Sequence, residues 1–382
     1  MHHLALNAHT RPGARSLARL CVVTCGTLPL LAPAALAATP GSWIPADRLR
    51  ASREFNTATL LPQGQVLFAG GYGYDGFLAS AELFEPAARK FQNAGPLTTP
   101  RFAQTATLLT TGKVLVVGGA NLDEGFLASA ELFDPATGTW SPAGKLKRAR
   151  DNHTATLMQD GRVLVTGGLG EKVPAIASAE LYDPLTNSWS PAATMAESRF
   201  HHEATLLPDG RVLVTGGQTR AEAVRNSAEL YDPAKNSWRR AARMRTRRVN
   251  HSATLMADGR VLLDGGGDRA PGFTPRVERY TPASNRFAFA RGLRTARGFH
   301  TATLMADGRV LVAGGFGDRS ALRSAELFDG RRNAWRAAGN LRTARAHHTA
   351  TLLKDGSVLV AGGARYNGGL VPAAQRYRLR MP

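Results

Sequence analysis

Seven histidines lie beyond residue 37, and five of them share one recurring position. At the head of a repeated Ala-Thr-Leu segment the chain reads Asn56, Gln104, His153, His202, His251, His300 and His348, with His201 and His347 directly before two of these. Neutral imidazole is a good ligand for copper or zinc, so the pattern admits a metal site. It also admits a plainer origin, a residue copied with a duplicated unit and serving the fold in each copy. The second reading is adopted, and no metal and no cofactor are expected. Asp264 is the other residue with chemistry to offer, because the matching position elsewhere holds Ala, Val or Thr. A carboxylate there can bind a ligand or act as a general acid. An ion pair with Arg279 on the neighbouring strand is the expected role, although Arg376 fills the site matching Arg279 with no obvious acid partner.

The elements that must position these groups repeat along the chain. Gly-Gly pairs fall at 70–71, 118–119, 167–168, 216–217, 265–266, 314–315 and 362–363, spaced by 48 or 49 residues. A period of that size with strand-like content indicates a propeller or solenoid. Each repeat reads as four short strands: Thr-Ala-Thr-Leu, then Val-Leu-Val-x-Gly-Gly after an Asp-Gly turn, then Ala-Glu-Leu-Tyr-Asp-Pro, then a strand opened by an aromatic. The aromatic pairs Phe84/Phe91, Phe133/Trp140, Tyr182/Trp189, Tyr231/Trp238, Tyr280/Phe287 and Phe328/Trp335 hold a fixed register. The seventh repeat has Tyr377 and then runs out of chain, while Ser42-Trp43-Ile44-Pro45 supplies an aromatic strand at the other terminus. The expected fold is therefore all-β, a seven-bladed propeller of four-stranded antiparallel blades over 38–382. Residues 42–49 complete the last blade.

One arginine opens each repeat: Arg53, Arg101, Arg150, Arg199, Arg248, Arg297 and Arg345. One acid sits in each third strand, Glu82, Glu131, Glu180, Glu229, Glu278 and Glu326, with Gln375 in the last. Blade sheets are covered on both faces, so a carboxylate there must be paired. Buried Arg–Glu contacts are expected, as a property of the frame.

The Gly-Gly pairs and spaced aromatics, seven times over, resemble the kelch-repeat family, across nearly all of 42–382. The wording of Asp160–Gly168 and Ser178–Pro184 is similar to its exported bacterial members and to the propeller of galactose oxidase. The resemblance implies the fold strongly and function weakly, because such propellers serve as binding platforms, oxidases and sugar isomerases. In galactose oxidase, copper is held at the channel mouth by histidine and tyrosine, one tyrosine being cross-linked to cysteine. Here the residues before the histidine position are Phe55, Ala103, Asn152, His201, Asn250, Phe299 and His347. With no tyrosine among them, and no cysteine beyond residue 37, that cofactor cannot be assembled as known.

Within a propeller, the loops after Gly-Gly and before the first strand gather on one face. Those loops all differ between repeats, whereas the Asp-Gly and Asp-Pro loops of the other face are nearly constant. Variation on a repeated scaffold marks the recognition face. The seven polar positions, His201 and His347 are expected to ring the channel mouth there. Candidate ligand contacts are these residues, Asp264, and the loop aromatics Tyr72, Tyr74, Phe77, Phe126, Phe273, Phe316 and Tyr366. The reading is non-catalytic binding of a glycan or protein. The alternative is a carbohydrate-active enzyme such as an epimerase, needing an acid–base pair near the channel that Asp264 or Glu222 could supply.

Residues 1–37 carry Arg11, Arg15 and Arg19, an apolar run from Cys21, and the small-x-small ending Ala35-Leu36-Ala37. This is the pattern of a secretory signal peptide. A secreted, periplasmic or cell-surface monomer follows, with no transmembrane segment and no cysteine in the mature chain. Of 48 Lys and Arg, three fall in that run, along with none of the 29 Asp and Glu, which leaves +16. Arg239, Arg240, Arg243, Arg245, Arg247 and Arg248 form a cluster suited to anionic polysaccharide. Export makes nucleic acid an unlooked-for partner.

Overall fold

In the computed structural model, which describes residues 41–379 apart from 172–174, 220–222 and 270–271, each repeat forms one four-stranded antiparallel sheet. The N-terminal run read as an export signal, and Glu222, lie outside the described residues. Blade three illustrates the pattern: Thr154–Leu157, Val163–Thr166, Ala179–Asp183 and Ser188–Ala192 pair in that order. Its second strand is rich in valine and buried along its whole length, as a strand covered on both faces must be. The Asp-Gly turns are three-residue loops rather than the two-residue form the dipeptide suggests. Leu207 N–H donates to the Arg211 carbonyl at 2.8 Å and Gly210 N–H to the Leu207 carbonyl at 3.0 Å. Gly210 takes φ 81° while Asp209 stays at negative φ, so the turn is type I followed by a bulge glycine.

Each inner strand packs beside the inner strands of both neighbouring blades, which closes a ring around a central channel. Seven apolar clusters fill the interfaces between successive blades. In one, Leu115 and Val117 of blade two meet Val163, Val165 and Tyr182 of blade three. Another joins blade seven to blade one through Leu359, Ala361, Val66 and Phe68. The seam is closed as expected: Ser42–Arg48 pairs with Ala373–Arg378, with Trp43 opposite Tyr377. The two rings lie 5.1 Å apart, and Trp43 Nε1 donates to the Ala338 carbonyl of blade six at 2.9 Å. Among the described residues no helix is long and apolar enough to cross a membrane.

The recurring arginine and glutamate form the joint between blades. Arg150 Nη2 meets Glu180 Oε1 at 2.8 Å, and its Nη1 donates to the Gly167 and Ser178 carbonyls. Glu180 Oε2 accepts from Lys147 N–H at 2.6 Å, so the carboxylate pins the segment crossing from the outer strand to the next inner strand. Six blades carry this pair. The Gly-Gly pair belongs to the same joint. A Cβ on Gly167 would stand 2.6 Å from both the Arg199 carbonyl oxygen and His202 Cε1, so the next blade occupies the space that any side chain would need.

Blade seven breaks the rule. Gln375 Oε1 accepts from Arg342 N–H at 2.9 Å, but Arg345 Nη2 and Gln375 Nε2 are buried without partners. Burial pulls the Arg345 guanidinium down to about 10, with no carboxylate opposing the shift.

Candidate functional site

The face carrying the variable loops is built by seven short bridges. In each blade the residue after the recurring arginine pairs with the residue after Gly-Gly, as Asp151 does with Leu169 and Phe200 with Gln218. One residue further along, Phe55, Ala103, Asn152, His201, Asn250, Phe299 and His347 all adopt left-handed backbone, with φ between 47° and 55°. Their amides form a closed ring in which each N–H donates to the carbonyl of its counterpart in the preceding blade, at 3.1–3.3 Å. Left-handed backbone costs a bulky residue roughly 1–2 kcal/mol, and the hydrogen-bonded ring offsets it. The seven side chains therefore encircle the channel mouth, all half-buried.

That circle has two unlike halves. Across blades five, six, seven and one, and through Phe102 at the entry to blade two, aromatic rings touch in a continuous chain. Phe55 stacks on His347 at 3.9 Å, and His347 meets Phe299 at 4.6 Å and Phe316 at 5.2 Å. Phe316 reaches Tyr366, and Phe299 reaches Phe273. On the other side Phe55 continues through Phe102 and Phe77 to Tyr72. Of the expected loop aromatics, this chain gathers Tyr72, Phe77, Phe273, Phe316 and Tyr366. Tyr74 and Phe126 stand outside it. Tyr74 is exposed, and its hydroxyl accepts from Leu370 N–H at 3.0 Å, tying the blade-one loop to the blade-seven loop.

The opposite half is polar. Asn152, His201 and Asn250 border a cavity of about 480 Å³ running down the channel beside Thr105, Thr154 and Glu203. Burial, and then the nearby charge of His347, hold His201 down at about 4, so it is neutral at ordinary pH. Glu203 stands where the other six repeats have Thr or Ser. Burial first, and Asp264 second, push its carboxyl up to about 8. It is a proton-bearing acid in a water-accessible cavity. The departure of Glu203 from its six counterparts was the available sequence signal. Asn152, Asn250, Phe55 and Phe299 were marked only by their variability beside constant neighbours.

The expected polar ring is present but turned inward. Asn56, Gln104, His153, His202, His251 and His348 are 4–8% exposed, and the His300 side chain is fully buried. Each reaches for its own strand or the preceding blade: Gln104 Nε2 donates to the Ala69 carbonyl at 2.9 Å, and His153 Nε2 shares a hydrogen bond with Thr105 Oγ1 at 2.9 Å. His202, His251 and His348 do the same with Thr154, Thr215 and Thr301. Burial, then the charge of Arg150, hold His153 down at about 3. Burial likewise lowers His202, His251 and His348, so these three and His153 are neutral. All seven are joint residues, because the left-handed residue before each one swings it into the blade junction.

Asp264 corrects a second expectation. It lies opposite Ser252, not Arg279, which pairs with Leu262 in the strand register. Asp264 Oδ2 accepts from Ser252 Oγ at 2.8 Å, and Oδ1 shares a hydrogen bond with His300 Nε2 at 2.8 Å. The next blade's histidine and the facing serine take the carboxylate before the arginine can. Arg376 also has an acid partner after all, Asp355 of its own hairpin.

The KLHDC2/KLHL20/DRC7 Kelch-repeats domain matches residues 55–267. The chain belongs to the kelch-repeat family. No curated protein matches it in sequence. Among solved structures this kelch propeller is similar to a fungal alcohol oxidase of the AA5 family in complex with copper. The TM-score is 0.75 and the identity 20%, covering 89% of this chain and 77% of that one. At that identity the likeness concerns the fold.

Copper of that kind does not fit the donors present. The mouth offers two imidazoles, and His347 Nδ1 is engaged by Glu54 at 2.9 Å. Among the described residues no three His, Cys, Asp or Glu side chains converge as a metal centre requires. What the mouth of this kelch propeller offers is flat apolar rings on one side and neutral hydrogen-bonding groups on the other.

Proposed function

We propose that this kelch propeller is a non-catalytic recognition module that binds a glycan at the channel mouth. The observation that carries the reading is the division of the mouth into two halves. Sugar rings present an apolar face and a rim of hydroxyls. The ring chain through Phe55, His347, Phe299 and Phe316 suits the first. Asn152, His201, Asn250 and the Glu203 carboxyl suit the second. The N-terminal run supports export, which would place the module among extracellular or envelope glycans.

The test is a double substitution, Phe55→Ala with Phe299→Ala. The fold already accepts alanine here, since Ala103 occupies the same ring position at φ 52°. A glycan array on wild type identifies ligands, and the double variant should bind them about tenfold more weakly or worse, with unchanged melting temperature. Equal binding by both proteins would refute recognition at the mouth.

A second reading, a carbohydrate-active enzyme, draws support from Glu203 alone. An acid held protonated to about pH 8 is the form that can donate a proton to a leaving or epimerising group. Turnover of an array ligand that Glu203→Gln abolishes, with binding intact, would favour it.

A further inference from the structure

The excess positive charge of the chain is concentrated in three corresponding segments. Residues 233–257, 282–306 and 330–354 run along the outer strands of blades four, five and six, through the crossings, and into the next inner strands. Together they hold seventeen Lys and Arg and no Asp or Glu. The matching segment of blade three, 184–208, has one cation, Arg199, and two acids. The fold therefore requires only the joint arginine of each segment. The remaining fourteen cations are additions to it.

Among the described residues they are also left without a carboxylate partner, except Arg332, whose Nε lies 3.8 Å from Asp329 Oδ2. On the hairpins of the other face, Arg162, Arg211, Arg260 and Arg309 each pair with the aspartate two residues before. Arg239, Arg240, Arg245 and Arg247 are exposed, and among the described residues none has a carboxylate partner. At the junction of blades four and five the guanidinium carbons of Arg245 and Arg276 lie 5.6 and 5.9 Å from the centre of the Phe289 ring, itself 49% exposed. An aromatic that holds two guanidiniums in place fixes charge for a partner at little ordering cost.

We propose that the outer surface of blades four to six binds an acidic polysaccharide, one bearing carboxylate or sulfate groups. The inference rests on the glycan reading of the mouth. The aromatic half of the mouth lies in blades five, six, seven and one, so its arc overlaps the cationic one. A linear chain with a sugar ring on Phe299 or Phe316 can lay its charged groups along the arginines. A polyanion is the ligand class that many clustered cations without carboxylate partners select.

The experiment titrates the full protein with polygalacturonate, neutral galactan and a single-stranded DNA oligonucleotide. Three proteins are compared: wild type, the triple variant Arg239→Glu/Arg240→Glu/Arg247→Glu, and the Phe55→Ala/Phe299→Ala variant. The three arginines make no side-chain hydrogen bond among the described residues, so the triple variant should fold, which its melting temperature checks. Wild type should bind polygalacturonate, with affinity falling more than about tenfold from 50 to 200 mM salt. The triple variant should lose about tenfold at low salt and keep any binding of galactan. Equal polygalacturonate binding by wild type and the triple variant overturns the inference. So does tighter binding of DNA than of polygalacturonate. If the triple variant weakens polygalacturonate binding while the mouth variant changes neither sugar, the cationic surface stands and the mouth reading falls.

Discussion

Gln375→Glu should make this protein more stable, although it places a new charge in its interior. Blade seven already buries a cation there. Arg345 is 0% exposed, and its pKa falls from 12.5 to about 10 through burial alone. At about 1.36 kcal/mol per unit, that shift corresponds to about 3 kcal/mol stored against the charged form at neutral pH. In the other six blades a glutamate carboxylate accepts from the arginine at 2.8–3.0 Å and from the crossing segment behind it. Gln375 has the same size and register, and its Oε1 already takes Arg342 N–H. Glutamate would keep that bond and turn the orphaned Nε2 into an acceptor facing Arg345 Nη2. The new carboxylate brings its own desolvation penalty, so the net gain is set below the full figure, at about 2 kcal/mol. For a propeller of roughly 340 residues this is a rise of about 3 °C in melting temperature, read by calorimetry. Glu229→Gln makes the reverse change in blade four and should lower it by several degrees. A Gln375→Glu protein that melts at or below wild type, while Glu229→Gln is harmless, would refute the claim that the joint pairs stabilise this fold.

Two further predictions concern the channel. A carboxyl whose folded pKa is raised to about 8 binds its proton when the unfolded chain has released it, so stability should fall as pH rises from about 4.5 to 8, by up to about 1.4 kcal/mol per pH unit. Glu203→Gln should flatten that part of the melting-temperature profile, and an unchanged slope would mean Glu203 is ionised. Asp264→Thr recreates the arrangement of blade three, where Thr154 Oγ1 bonds both Thr166 Oγ1 and His202 Nε2. It should move stability by less than about 1 kcal/mol in urea unfolding. A large loss would mean that blade five depends on the carboxylate itself.

The fold was legible because its evidence is redundant. Any single Gly-Gly pair is weak, but seven at one spacing leave room for one architecture, and Trp43 opposite Tyr377 follows from counting aromatics. The Arg–Glu joints were legible for an energetic reason, since an acid in a strand covered on both faces has to find a cation. The inward turn of the histidines was not. Strand alternation assigns a residue to a face of its own sheet, whereas His202 is aimed by the left-handed conformation of His201 into a different blade. Asparagine favours that conformation, so Asn152 and Asn250 carried the signal, but Phe55, Phe299 and His347 adopt it only because the ring of amides holds them there. The partnership of Asp264 with His300 was hidden for a similar reason, because the deciding contact crosses a blade boundary while Arg279 is nearer in the strand.

A fold repeated seven times has its own reference state in every copy, and the informative residues are those that depart from it. Glu203 and Asp264 replace neutral residues in adjoining blades, and Asp264 contributes to the raised pKa of Glu203. The added arginines begin in the outer strand of blade four, at Arg239. Glu203, Asp264 and the densest run of added arginines lie in blades four to six, and the ring chain of the mouth begins there, at Phe273 and Phe299. That coincidence is the physical reason for reading channel, mouth and cationic rim as parts of one binding surface. It also makes the reading vulnerable at one point, because charge reversal at Arg239, Arg240 and Arg247 that left binding of every glycan untouched would separate the rim from the rest.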